Sequence, residues 1–168
     1  MRKALIPIAL CVLSAVSGVA HAQRAPALED CPATVQAKHA LPRLRFDAPS
    51  HAYRSAIKEA ARGPINFAGH YILAEWGCGA GCIMAAAVDT ATGRVTSLPF
   101  TVSDWPLDVT KPLTYRANSC LLIVRGSRNE SAEHGTYYYR FDGNAFRLGA
   151  TVLQPAHQAH RNTQITNP

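Results

Sequence analysis

The residue types most able to carry chemistry lie between positions 66 and 82, where a histidine, a glutamate and two cysteines follow one another closely. A cysteine nucleophile needs a base beside it, and His70 is the nearest base to Cys78 and Cys82. The same three residues could supply three zinc ligands, although the cysteine spacing is not that of a usual zinc knuckle. Glu75 could act as a general acid or base, but no second carboxylate stands at an informative spacing. A small hydrolase or metal-dependent enzyme that uses these residues is therefore one hypothesis.

The cysteines also fit a disulfide framework. Four of them follow the first 22 residues of the chain: Cys31, Cys78, Cys82 and Cys120. An even number of cysteines in an exported chain favours disulfide bonds. Of the three possible pairings we expect Cys78–Cys82 with Cys31–Cys120, because closing the shortest ring costs the least chain entropy. The first bond would hold a glycine-rich loop, and the second would fasten the N-terminal segment to the rest of the fold.

Three motifs mark the middle of the chain. They are a Phe-Ala-Gly-His-Tyr strand, a Trp-Gly-Cys-Gly-x-x-Cys loop and a Val-Asp-x-x-Thr-Gly turn, at positions 67–71, 76–82 and 88–93. With later runs at 121–124, 129–130 and 135–139, they resemble an uncharacterised family of secreted bacterial proteins. The resemblance covers about Asn66 to Leu148. It implies a secreted protein, and it assigns neither an activity nor a catalytic residue.

A binding role is the hypothesis that the sequence favours. No nucleophile–base–acid order, pair of carboxylates, phosphate loop or complete metal-ligand set is visible, so we predict no catalytic residue, metal or cofactor. We expect an exported envelope binding or inhibitor-like module whose partner is an unknown envelope protein or wall component. A purely structural envelope protein is the third alternative. The predicted binding residues are His70 within a strand and a set of loop and strand-end positions: Glu75, Trp76, Gly79, Gly81, Arg125 and Glu130.

The elements that must position these residues are mostly strands. Alternating apolar residues and an Asp-Gly turn predict a mainly β (α+β) fold, an antiparallel meander of about seven strands with one N-terminal helix. The helix is predicted over 51–62, capped by Ser50 and ended by Gly63 and Pro64, with Ile57 on its buried face. The predicted strands span 67–76, 83–89, 94–98, 113–117, 120–126, 136–141 and 145–148. In the first of these, His70 would lie on the face of Ile72, where a lone histidine is more often a hydrogen-bonded core residue than a ligand.

The ends of the chain indicate export. Residues 1–22 have the basic start, apolar run and small-residue cleavage site of a signal peptide, with cleavage expected after Ala22. We expect an extended lead-in over 23–49, one globular domain over 50–153 and a flexible tail over 154–168, with no membrane span after cleavage. The periplasm or the medium is the expected location.

Composition excludes other classes of protein. Hydrophobic residues make up 48% of the chain and charged residues 17%, which excludes a disordered chain. The net charge is +6, but the arginines are scattered rather than clustered on one run. Nucleic-acid binders usually concentrate such charge, so we expect no nucleic-acid partner.

Overall fold

A computed structural model describes residues 24–37, 40 and 42–154. The predicted cleavage site at Ala22 and the tail from residue 155 lie outside them. The described part is mainly antiparallel β-sheet, which confirms the predicted fold class. No helix within it is long and apolar enough to cross a membrane. The strands are β1 Tyr71–Gly79, β2 Cys82–Asp89, β3 Val95–Ser97, β4 Val102–Ser103, β5 Leu113–Thr114, β6 Leu121–Arg128, β7 His134–Phe141 and β8 Phe146–Leu153.

The strands form one sheet in the order β1-β2-β4-β6-β7-β8, with β3 also on β2 and β5 also on β6. The described ranges contain eight strands where seven were expected, because β4 has only two residues and leaves no alternating pattern to detect. This short strand joins the two halves of the sheet. Val102 lies opposite Ile83 of β2 on one side and opposite Arg128 of β6 on the other.

The inner face of the sheet carries the main core. Side chains from β1, β2, β6 and β7 meet there, and the fully buried Tyr137 and Phe67 are the largest of them. The ring of Tyr71, the first residue of β1, lies 4.9 Å from that of Phe141 at the end of β7, and Phe146 of β8 belongs to the same cluster, so the sheet curls until its first and last strands share one interior. The Ala68 amide completes the contact by donating to the Ser119 carbonyl at 3.1 Å.

The helix covers the outer face of β1, β2 and β3. A 3₁₀ turn over Pro49–Tyr53 leads into α1, Arg54–Ala60, and Ile57 is fully buried against this face, as predicted. The predicted cap at Ser50 is wrong. The buried Ser50 hydroxyl donates to the Asp47 carbonyl at 3.0 Å, and the Asp47 carboxylate accepts the Ser50 amide at 3.1 Å. Asp47 therefore satisfies one of the free amides at the start of this helical segment, that of Ser50.

The N-terminal segment covers the outer face of β6 and β7. Cys31 is buried there against Leu121 and Tyr138, and it is bonded to Cys120 with a Cα–Cα distance of 5.2 Å. The Cys120 amide also donates to the Cys31 carbonyl at 2.8 Å. The lead-in is therefore part of the packed fold at this point.

The chain before β1 is a turn, whereas a strand was predicted from Phe67. Ala68 and Gly69 have φ values of 43° and 85°, which no strand permits, and a Cβ on Gly69 would lie 2.6 Å from the Thr34 carbonyl oxygen. His70 therefore lies in the turn before β1 and does not take the predicted strand position on the face of Ile72. Beside this turn, the Asn66 amide group accepts the Leu73 N–H at 2.7 Å and donates to its carbonyl at 3.2 Å.

Candidate functional site

The tip of the β1–β2 hairpin lies at the same end of the sheet as the end of β6. Gly77 is opposite Ile83, and β4 extends this row of residues through Val102 to Arg128. Because paired residues stand at one level of a sheet, the hairpin tip, β4 and the last residue of β6 form one rim. We call this region the hairpin rim.

The hairpin itself is clamped by the Cys78–Cys82 disulfide, with a Cα–Cα distance of 5.1 Å. The turn is Ala80–Gly81, and a register shift beside Cys78 produces a bulge in β1. Gly81 has a φ of 63°, and a Cβ added to it would meet no atom within 4 Å, so its backbone conformation rather than crowding requires glycine. With both sulfurs bonded to each other, neither cysteine can serve as a thiolate nucleophile or a zinc ligand in this state.

Trp76 faces away from the sheet interior. It is half-buried beside the helix, and its ring lies 5.2 Å from that of Tyr53. The indole Nε1 is buried with no hydrogen-bond partner among the described residues. Trp76 thus fastens the hairpin to the helical layer, and the exposed residues of the predicted loop are Gly77 and, between the two cysteines, Gly79, Ala80 and Gly81.

Glu75 points into a cavity of about 630 Å³ between the hairpin and the segment that follows β4. Its carboxylate accepts a hydrogen bond from the Tyr115 hydroxyl at 2.5 Å. Burial and this carboxylate together raise the pKa of Tyr115 far above its ordinary value. The hydroxyl therefore keeps its proton and donates the hydrogen bond to Glu75. Lys111 adds a cation to the lining, whereas the neighbouring Arg116 is paired with Glu29 at 2.7 Å.

Arg125 lines a second cavity, of about 610 Å³, on the other side of the same segment. Lys111 belongs to both cavities, together with Thr110 and Thr114. Glu130 stands apart, exposed in the β6–β7 turn with a φ of 57°. Glu75 and Arg125 are therefore neighbours across one stretch of chain but do not share a pocket.

His70 lies at the opposite end of the hairpin. Its Nε2 is 3.7 Å from Oδ1 of the buried Asp89, while Tyr71, the residue after it, pairs with Asp89 at the far end of β1 and β2. Burial tends to raise the pKa of Asp89, but hydrogen bonds from Thr92 and Ala91 outweigh it and lower that pKa. The seven predicted binding residues therefore do not converge, and His70 and Glu75 form no common site.

A serine–histidine–aspartate combination lies near the rim that the sequence did not suggest. Ser127 is directly opposite His134, whose Nε2 is 3.7 Å from the Asp104 carboxylate. The geometry does not activate the serine. The other ring nitrogen, Nδ1, lies 3.1 Å from the Ala132 carbonyl, and the buried Ser127 hydroxyl is bonded to Ser103 at 3.0 Å. Among the described residues no hydrogen bond joins Ser127 to the His134 ring, so this serine lacks the contact with a base that a nucleophile needs.

Arg128 is a second residue that sequence reasoning missed. It lies at the end of the Ile83–Val102 row, and its guanidinium carbon is 3.8 Å from the ring centre of Tyr137. The sequence predicted binding residues at Arg125 and Glu130, in the same run of polar residues. Only the sheet register shows that Arg128, and not Arg125, faces the aromatic core.

No grouping of three or more histidine, cysteine or acidic side chains within 24–37, 40 and 42–154 could hold a metal ion. Comparison with protein-family models, curated proteins and solved structures finds no match to this chain.

Proposed function

We propose that this protein is an exported, non-enzymatic binding module that recognises an envelope protein or a wall component through its hairpin rim. The observation that carries the proposal is the disulfide-clamped tip, which holds three exposed residues, Gly79, Ala80 and Gly81, in a fixed turn. A loop fixed before binding loses less conformational entropy when a partner engages it. A clamp at an exposed turn is therefore useful for recognition.

The surface beside the tip suits a polar partner. Glu75, held by the Tyr115 hydroxyl, offers an anion in one cavity, and Lys111 places a cation between that cavity and the one lined by Arg125. Such alternation of charge complements a peptide or a wall polymer that carries both signs. After the expected cleavage at Ala22, 15 basic residues against 11 acidic ones add attraction to anionic envelope components.

The proposed location follows from the same clamp. Two disulfides fit an oxidising compartment. The basic, apolar and small-residue pattern of residues 1–22 supports delivery to the periplasm or the medium. The enzyme alternative, which used His70, Glu75 and the cysteines, needs these groups together and the thiols free, and the geometry gives it no support.

Site-specific photocrosslinking in intact cells tests the proposal. A photoreactive residue at Ala80 samples the clamped tip, and the same residue at Ala91, an exposed alanine in the turn at the other end of β2, is the matched control. We expect an adduct of defined mass, or attachment to wall material, at position 80 and none at 91. Replacing Cys78 and Cys82 by alanine should reduce the yield at position 80.

Equal labelling from both positions, or none from Ala80, would contradict the binding proposal. The second result would favour the purely structural alternative. Sedimentation of the purified protein with insoluble cell-wall sacculi separates the two partner classes, because only a wall component carries the protein into the pellet.

A further inference from the structure

We propose that Arg128 binds a carboxylate group of the ligand in a small cavity on the hairpin rim. The inference rests on the proposed binding function and adds a chemical class to it. Arg128 ends β6, and its side chain turns toward the aromatic residues at the end of the main core. Its surroundings fix the guanidinium without neutralising it.

Three aromatic side chains hold the Arg128 guanidinium in place. Its central carbon lies 3.8 Å from the Tyr137 ring centre and 6.0 Å from that of Phe100. One Nη atom donates to the Tyr139 hydroxyl at 2.7 Å. Cation–π contact over a buried ring and a hydrogen bond at one end leave the group little rotational freedom.

The charge of this arginine has no counterion in the part of the chain that the structure describes. No carboxylate of those residues forms an ion pair with Arg128, although Glu133 lines the same cavity. The Nε atom is buried and also lacks a hydrogen-bond partner there. A partly buried cation is normally paired, since leaving it unpaired costs free energy. A ligand anion would remove that cost.

The cavity beside Arg128 is small. Its volume is about 220 Å³. Pro99 and Phe100 give it an apolar wall, while Asn129 and Ser131 line its polar side. A planar guanidinium matches a carboxylate better than an ammonium would. The fit is to a carboxylate on a small group, such as a peptide C-terminus or an acidic sugar, with the rest of the ligand outside.

Titration of the purified protein with small probes tests this assignment. The probes are N-acetylalanine for a peptide terminus, glucuronate for a sugar acid and N-acetylalaninamide as the neutral match. The readouts are the arginine Nε–H resonance of Arg128 and the amide resonances of Asn129 and Ser131 in ¹H–¹⁵N spectra. We expect saturable shifts with a carboxylate probe and none with the amide, and the carboxylate that binds with the higher affinity identifies the source.

Matched variants complete the test. Arg128→Lys keeps the charge but loses the planar group, and we expect affinity to fall at least tenfold. Arg140→Lys, an exposed arginine on β7, should leave affinity unchanged. If Arg128→Lys does not fold, Tyr139→Phe keeps the cation and frees one Nη atom, and affinity should change severalfold.

Three results would overturn the assignment: equal shifts with the neutral amide, no saturable shift with either carboxylate, or unchanged affinity in both Arg128→Lys and Tyr139→Phe. None of them bears on crosslinking at Ala80. Failure of the carboxylate site is therefore distinguishable from failure of the binding function.

Discussion

Gly126 is the residue on which the approach of β4 to β6 depends. Its φ is 126°, and a Cβ there would lie 2.4 Å from the Ser103 carbonyl oxygen and 3.2 Å from the Trp105 amide nitrogen. Both atoms are backbone, so no side-chain rotation relieves the clash. Glycine at this position lets β4 join the two halves of the sheet.

We therefore expect Gly126→Ala to destabilise the protein. Backbone strain alone costs about 1–3 kcal/mol, and the displaced β4 adds to it. Gly149→Ala is the control, because its Cβ would make only an ordinary contact, 3.5 Å from the Tyr138 carbonyl oxygen. Denaturant titration measures both free energies of unfolding. Equal losses in the two variants would show that the close approach at β4 is not required.

The lowered pKa of Asp142 predicts that the folded protein loses stability at acid pH. Hydrogen bonds from the Arg147 guanidinium and from the amides of Asn144 and Ala145 lower its pKa from 3.8 to about 2. Because the folded pKa is depressed, the stabilisation is fully present above about pH 4 and is lost as pH falls through about 2. We expect Asp142→Asn to flatten the fall in Tm over this range. Asp108→Asn, at an exposed carboxylate, is the control and should keep the wild-type profile.

At the scale of elements, the helix depends on one buried side chain. Ile57 is 0% exposed and packs against Ile72 and Val88 on the outer face of the sheet. Ile57→Ala should reduce the free energy of unfolding by about 2–5 kcal/mol, the usual range for a buried aliphatic truncation. Lys58→Ala, at the next and exposed position, should cost far less. A near-neutral result for Ile57→Ala in urea titration would show that the helix is peripheral.

The two disulfides should affect stability and binding in opposite proportions. They close chain segments with sequence separations of 4 and 89 residues. Denatured-state entropy then gives roughly 2 kcal/mol for Cys78–Cys82 and roughly 5 kcal/mol for Cys31–Cys120. In thermal melts Cys31→Ala/Cys120→Ala should lose more, whereas Cys78→Ala/Cys82→Ala should lose more crosslinking at Ala80. A larger melting loss for the hairpin pair would contradict this account.

The strands and turns that could be predicted from the sequence are those whose pattern lies within a few consecutive residues. The continuous apolar run Leu121–Val124 and the Asp142-Gly143 turn are readable without the fold, and both elements are present. The turn at Ala68 is not readable, because a non-glycine residue with positive φ is held there by contacts distant in sequence. The cysteine pairing followed from spacing. The hairpin rim could not be predicted, since it depends on the register that β4 sets between β2 and β6.

At the scale of the whole molecule, the predicted removal of residues 1–22 lowers the mass of the exported chain. The apolar run and small-residue site predict that the exported form begins at Gln23. Intact mass spectrometry of protein recovered from the periplasm or the medium measures this. A species that still starts at Met1 would contradict the predicted cleavage after Ala22.

The Asn66 side chain has a consequence for encounters between molecules. β1 is an edge of the sheet, and an edge strand offers free amide and carbonyl groups to any extended chain that approaches. Asn66 already occupies both groups of Leu73, as a neighbouring strand would. The strand of a second molecule therefore has no free backbone groups to bond at Leu73, and edge-to-edge pairing of two sheets is blocked at this position.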